Sequence, residues 1–193
     1  LTLTDEWNLI TRTIFPIVSQ PSFVRGQNRD DGIGDTTISG FLSPTAPAFG
    51  HVIWGMGPVV TVPTASGDRL GYDQWGTGLT GVALVSEGPV VVGALFNNIW
   101  SLEGRSFSQF LLQTFLNYNF SRGWYVTSAP IITADWSRKD DSWTVPVGGG
   151  FGKVQRFGKL PVNFSLQAFY NAEKPQGAGD WSTRLQVVLM FPK

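Results

Sequence analysis

Cysteine, histidine and charge are scarce in this chain of 193 residues. It has no cysteine and one histidine, which excludes disulfides and thiol chemistry and argues against a histidine-based metal site. Charged residues make up 15% of the chain, against roughly 25% in ordinary soluble domains. The net charge is zero, so there is no electrostatic basis for binding nucleic acid. We therefore predict no nucleic-acid partner, no metal and no cofactor.

Long apolar runs are also missing, because no segment approaches the roughly 18–20 residues that a transmembrane helix needs. Apolar and polar residues alternate with a period of two instead, which predicts β-strands. These strands would be about 11–14 residues long, longer than usual globular strands and enough to cross a membrane at a tilt. The ten predicted strands are residues 7–18, 33–43, 51–63, 75–86, 90–101, 108–120, 124–136, 143–156, 161–172 and 181–191.

The connections between the predicted strands alternate in length and polarity. Long or charged connections and short turns follow one another, as in an up-and-down outer-membrane barrel whose short turns are periplasmic. The chain, residues 1–193, is therefore predicted to be one all-β domain, an antiparallel transmembrane β-barrel in the bacterial outer membrane surrounded by lipid and lipopolysaccharide. The longer connections are 19–32, 64–74, 102–107, 137–142 and 173–180, and the shorter or uncharged ones are 44–50, 86–89, 121–123 and 157–160.

All eight tryptophans lie near the ends of predicted strands, and none lies in the middle of one. An indole has a large apolar body and one N–H donor, so it favours a boundary between apolar and wet surroundings. Two such boundaries, one strand length apart, are typical of a membrane crossed by a barrel. We place Trp7, Trp54 and Trp124 at the periplasmic boundary, and Trp75, Trp100, Trp136, Trp143 and Trp181 at the outer one.

The polar phase of the strands predicts the interior of the barrel. Arg12 and Arg184 lie in mid-strand, where an Arg or Lys on the lipid face costs about 2–4 kcal/mol, so both are expected to face inward. Two interpretations remain open: a weakly selective, hydrogen-bonding pore, or polar groups that satisfy each other and keep the lumen closed. The predicted lumen-lining residues are Arg12, Asp35, Gln113, Asn117, Asp135, Asn163, Gln167, Asn171, Arg184 and Gln186, with Asp35 and Asp135 near the outer mouth.

The first residues predict that the natural protein has further strands. Leu1 to Leu3 resemble the end of a strand, and Thr4 to Glu6 resemble a tight turn before Trp7. A strand that ends at this turn would come from outside, whereas barrel chains normally begin on the periplasmic side. We therefore expect twelve strands in a full-length protein, ten of them visible here, with a ten-stranded barrel as the alternative. Mass spectrometry and N-terminal sequencing of the natural mature protein test this expectation.

Motifs for catalysis are weak. His51 is expected to be solvated at the periplasmic rim, and no catalytic residue is predicted. The glycine run before Lys153 resembles a phosphate loop superficially, but Val147 and Val154 occupy places where that motif needs glycine and Ser or Thr. In a strand, such a run lets the sheet bend or lets a bulky lumen side chain approach. We predict that the protein is not an enzyme.

Adjacent carboxylates occur in two of the predicted loops. Neighbouring side chains on an extended chain point in opposite directions, so they make poor acid–base pairs. Solvated loops are the main interpretation, and weak contact with calcium or with cations that bridge lipopolysaccharide is the alternative. The residues concerned are Asp30, Asp31, Asp140 and Asp141.

Several segments together resemble a bacterial outer-membrane family whose members are labelled transporters or linked to the meta-pathway of phenol degradation. The resemblance covers nearly the whole chain and implies a Gram-negative outer-membrane barrel. The last strand resembles the aromatic-ended signal read by the barrel assembly machinery, although it ends Phe191-Pro192-Lys193. The segments that carry the resemblance are Trp7–Pro21 (WNLITRTIFPIVSQP), Gly32–Pro44, Trp54–Ala65, Asn117–Trp136, Thr144–Val154, Pro161–Asn171 and Leu185–Lys193.

The resemblance implies an outer-membrane channel or transporter for the passive passage of small molecules. Its label makes aromatic or other hydrophobic molecules the candidate solutes. The first alternative is an outer-membrane barrel without transport, either structural or a lipid-active enzyme. The second is a soluble barrel or sandwich that binds a ligand inside, which would require apolar residues to face inward.

Overall fold

A computed structural model describes residues 2–20, 30–67, 70–104, 106–138, 140, 142–158 and 160–189. Within these ranges the chain is all-β, and its one helical element is a 3-10 turn at Ser121–Gly123. No helix in this part of the chain is long and apolar enough to cross a membrane. The strands are β1 Trp7–Ile14, β2 Ile17–Gln20, β3 Asp30–Ile33, β4 Thr36–Pro44, β5 Val52–Val62, β6 Gly76–Glu87, β7 Val90–Ser101, β8 Ser108–Asn119, β9 Trp124–Ser128, β10 Ile131–Asp135, β11 Trp143–Phe157, β12 Leu160–Glu173 and β13 Trp181–Leu189.

Eleven strands form one antiparallel sheet with an up-and-down order. The sheet begins with β1, β4, β5, β6, β7 and β8 and ends with β11, β12 and β13. Between β8 and β11 lie β9 and β10, two short strands that follow one another and each pair with both neighbours. The remaining strands, β2 and β3, form a separate two-stranded hairpin. This confirms the predicted all-β antiparallel fold. Among the described residues no ladder joins β1 to β13, so these two strands are the edges of the sheet.

Three of the ten predicted strands are interrupted, and the prediction of continuous strands there was wrong. The segment 7–18 breaks between β1 and β2 at Pro16, and the segment 124–136 breaks between β9 and β10 at Pro130. Proline has no N–H for a ladder and favours strand ends or bulges, which accounts for both breaks. The third break, at 34–35, separates β3 from β4.

The predicted connection 19–32 also needs correction. Residues 17–20 and 30–33 pair with each other as β2 and β3, from Ile17 with Ile33 to Gln20 with Asp30. Asp30 and Asp31 therefore lie in a strand and not in a loop. Residues 21–29, Asp141 and residues 190–193, which carry the C-terminal signal, lie outside the described ranges.

The two faces of the sheet have opposite character. On the outer face, large hydrophobic side chains are exposed, whereas the inner face buries many polar side chains together with a few apolar ones, among them Phe41, Val59, Ile99 and Phe169. A water-soluble sheet rarely exposes so many large apolar side chains on one face. The exposed outer residues include Leu42, Met56, Leu79, Phe96, Leu116, Phe151, Leu166 and Leu185, and the buried inner ones include Ser39, Thr61, Thr80, Asn97, Thr127, Ser165 and Gln167.

Candidate functional site

Two cavities lie against the concave inner face of the sheet. One of about 310 Å³ lies toward the end with the short turns, and one of about 580 Å³ lies toward the end with the longer connections. Gln113 lines both, so the cavities adjoin each other along the interior. We name them the inner cavity and the outer cavity.

The inner cavity is rich in side-chain amides and has one charged group in its lining, Arg184. Six of the ten residues predicted to line the lumen contribute to it. One further amide in the lining, Asn119, was not among the predicted residues. The six side-chain amides in the lining are Gln113, Asn117, Asn119, Asn163, Gln167 and Gln186.

A break in the sheet gives the inner cavity its most specific contacts. Ala129 lies between β9 and β10, so its backbone groups are outside the strand ladders. The Ala129 N–H donates to Gln167 Oε1 at 3.2 Å, and Arg184 Nη1 donates to the Ala129 carbonyl at 2.9 Å. The Arg184 guanidinium also lies over the Phe169 ring at 5.2 Å. The side chains of Gln167 and Arg184 therefore supply the hydrogen bonds that the Ala129 backbone does not obtain from the strand ladders, and buried polar groups require such partners.

Tyr125 fills the part of the inner cavity next to the glycine run of β11. Its hydroxyl donates to Asn163 Oδ1 at 2.7 Å. A Cβ on Gly152 would come within 2.2 Å of Tyr125 Cζ, so only glycine leaves room for this ring. The run thus admits a bulky inward side chain, one of the two roles expected for it. Sequence reasoning missed Tyr125 itself, although its position beside Trp124 on the opposite phase of the strand was visible.

The outer cavity contains charges of both signs. Arg12, Asp35, Asp135 and Arg138 all line it. The two carboxylates also hold the connections that surround this mouth. Asp35 accepts hydrogen bonds from the backbone N–H groups of Ala65 at 3.1 Å and Tyr72 at 2.6 Å.

Asp135 has a similar role at the start of the next connection. It accepts hydrogen bonds from the Ser137 backbone N–H at 3.0 Å and from the Ser137 hydroxyl. Both carboxylates therefore have a structural role at the rim, besides facing the cavity.

Aromatic residues from two connections fold into the outer cavity. Tyr72 stacks on Phe107 with ring centroids 4.5 Å apart, and Gln109 Nε2 donates to the Tyr72 hydroxyl at 2.6 Å. Phe107 in turn packs on Val59 and Ile99 in a buried cluster. Sequence reasoning missed these residues because it considered both connections only as long, polar and charged segments. Aromatic residues within polar connections were the signal that could have found them.

Asn171 differs from the other predicted lumen residues. It belongs to the lining of neither cavity. Its Nδ2 donates to the Gly179 carbonyl at 2.8 Å, and its backbone N–H donates to the Asp180 carbonyl. The residue therefore holds the connection between β12 and β13.

Six of the eight tryptophans belong to the outer face by register, Trp75 and Trp136 lie next to the ends of strands, and tryptophans form local clusters at both ends of the sheet. At the short-turn end, Trp7 and Trp54 meet edge to face at 6.3 Å. At the other end, Trp136 meets Trp143 at 5.2 Å, and its indole N–H donates to Asn98 Oδ1 at 2.9 Å. The indole therefore satisfies a polar side chain on the outer face.

Other candidate chemistry has less structural support. His51 is exposed in the turn that precedes β5. Within the described residues no group of three or more His, Cys, Asp or Glu side chains is arranged to hold a metal ion. Comparisons with protein-family models, with curated proteins and with solved structures found no match to this chain.

Proposed function

We propose that this chain forms the wall of a bacterial outer-membrane β-barrel through which small molecules pass passively. The contrast between the two faces carries this proposal: the exposed apolar side chains of the outer face suit hydrocarbon, and the polar side chains of the inner face suit water or a polar solute. The tryptophan clusters at both ends suit two membrane boundaries. Lipid and lipopolysaccharide would contact the outer face, and the barrel assembly machinery would insert the protein.

The inner and outer cavities adjoin at Gln113, which supports passage; the inner lining is mainly polar, and the outer lining combines charged groups with a larger apolar part. A solute that enters between the longer connections would meet the Tyr72–Phe107 stack first. It would then reach the amides of the inner cavity. Aromatic or other hydrophobic solutes remain the candidates that the family resemblance implies.

The second candidate function is a barrel that is closed to solutes and serves a structural role. The hydrogen bonds of Arg184, Gln167 and Tyr125 within the interior favour it. These bonds join neighbouring parts of the inner face, as in a lumen whose polar groups satisfy each other.

Conductance across planar lipid bilayers distinguishes the two functions. The purified natural protein is reconstituted, and single-channel currents are recorded for the wild type, Gln113→Trp and Thr114→Trp. Gln113 lines both cavities, so a bulky ring there should reduce the current. Thr114 has the opposite phase in β8, so the same ring should leave the current unchanged. Absence of conductance in all three, with no change in solute uptake on gene deletion, contradicts the channel.

A further inference from the structure

We propose that the inner cavity is a selectivity site for small anions of the carboxylate type, with Arg184 as its specificity-determining residue. This inference rests on the proposed passage of solutes and names the charge class that the site favours. It follows from the charge, the donors and the size of the cavity.

The charge of the inner cavity is unbalanced. Among the residues that the structure describes, Arg184 is the charged residue in its lining, and none of the others is a carboxylate. No described carboxylate pairs with Arg184, whose hydrogen bond goes to the neutral carbonyl of Ala129. A half-buried cation without a counter-ion attracts anions and repels cations at short range, more strongly than in bulk water.

The position of the guanidinium is fixed, which favours recognition over general attraction. Its contacts with the Ala129 carbonyl and the Phe169 ring hold it from two sides. Phe169 is itself packed within the sheet, with only 2% of its surface exposed. The contact with Ala129 involves one of the five N–H donors of a guanidinium, and its planar fork matches the two oxygens of a carboxylate.

The surrounding side chains supply further donors. The amides of Gln186, Asn117 and Gln113 face the same cavity as Arg184. Amide N–H groups bind carboxylate oxygens but add no charge of their own. The volume of about 310 Å³ lies at the lower end of the range for small-ligand pockets, roughly 300–1,000 Å³. A small organic anion suits this space.

The outer cavity offers an internal contrast. There Arg12 and Arg138 share the lining with Asp35 and Asp135, so charges of both signs face a passing ion. Charge selection should therefore depend on Arg184 more than on Arg12.

Reversal potentials in a potassium chloride gradient, measured on the reconstituted natural protein, test the inference. The wild type should favour chloride over potassium. Gln186→Glu places a carboxylate on the inner face two residues from Arg184 and leaves the Ala129 contacts in place. We expect it to lower the chloride-to-potassium permeability ratio roughly threefold to tenfold. Lys153→Gln, which removes a cation from the outer face beside Trp124, should leave the ratio unchanged.

Arg184→Lys and Arg184→Gln complete the set. Lysine should retain most of the chloride preference, whereas glutamine should abolish it. Circular dichroism and heat-modifiable gel mobility identify any variant that fails to fold. If Arg184→Gln does not fold, the permeability ratio of Gln186→Glu tests the inference in its place. A conducting wild type without chloride preference, or a Gln186→Glu variant with the wild-type ratio, overturns the anion inference and leaves passage intact.

If the wild type does not conduct, the proposed passage of solutes is contradicted, and a binding measurement then tests the anion site by itself. Acetate is titrated into the detergent-solubilised natural protein and followed by calorimetry. Saturable binding that disappears in Gln186→Glu supports an anion site. Lack of binding by the wild type overturns it.

Discussion

Arginine in place of Leu166 provides the sharpest test of whether lipid covers the outer face. Leu166 lies on the outer face of β12 and is 41% exposed. In water, an arginine at such a position would change the free energy of unfolding by no more than about 0.5 kcal/mol. In lipid, the same change introduces a charge into hydrocarbon.

The expected cost follows from the depth of Leu166. It lies six residues from the start of β12 at Leu160. At about 3.3 Å per residue and a tilt of about 45°, this distance corresponds to roughly 14 Å along the membrane normal. Because the apolar band of transmembrane barrels is about 25 Å tall, the proposed membrane location would put Leu166 near its midplane. Arginine there should destabilise the folded protein by about 2–4 kcal/mol.

The assay is reversible guanidinium unfolding in phospholipid vesicles, followed by tryptophan fluorescence. Leu102→Arg is the matched control, because Leu102 is 60% exposed in the connection after β7 and lies outside the strands. It should unfold like the wild type. Equal and negligible effects of the two substitutions in vesicles would refute a lipid-facing outer surface.

Three further predictions concern individual contacts. Gly152→Ala should destabilise the protein by about 1–3 kcal/mol in the same unfolding assay, because the new Cβ displaces the Tyr125 ring. The control is Gly67→Ala, which should cost much less because no atom lies within 4 Å of the added Cβ. Equal effects of the two substitutions would contradict this steric argument. Trp136→Phe keeps an aromatic ring, although a smaller one, and removes the N–H donor to Asn98. Loss of this bond should lower the free energy of unfolding by about 0.5–1.5 kcal/mol, and an unchanged value would mean that lipid or water replaces it. Asp35→Ala removes the acceptor of two backbone amide hydrogen bonds. Limited proteolysis should therefore cut residues 63–75 faster than in the wild type, while the strands stay protected. Cleavage at the wild-type rate would show that other contacts hold the connection.

The alternation of side chains was sufficient to predict most strands and their faces. A shift of one residue would move every apolar side chain of a strand to the other face. Segments with clear alternation, such as 108–120 and 161–172, therefore match β8 and β12, and no strand end differs by more than one residue. The breaks were missed because Pro16 and Pro130 were treated as parts of continuous strands, although each proline marks its break.

The partners of the inward residues were harder to predict than their direction. Alternation indicates that Arg184 faces inward, but its acceptor Ala129 is 55 residues away in sequence. That acceptor is available only because Pro130 interrupts the sheet. Likewise, the stack of Tyr72 on Phe107 depends on how two connections fold back over the mouth. Such contacts depend on the curvature of the sheet and on loop paths, which a pattern with a period of two does not encode.

The break at Ala129 has a consequence for the order of assembly. Its N–H and carbonyl find their partners on β12 and β13, the last strands of the sheet. Until those strands dock, both groups lack these partners, and each backbone group left buried without a partner costs about 1–3 kcal/mol. Docking of the C-terminal strands therefore adds to the stability of the middle of the sheet, which couples the central and final strands during folding.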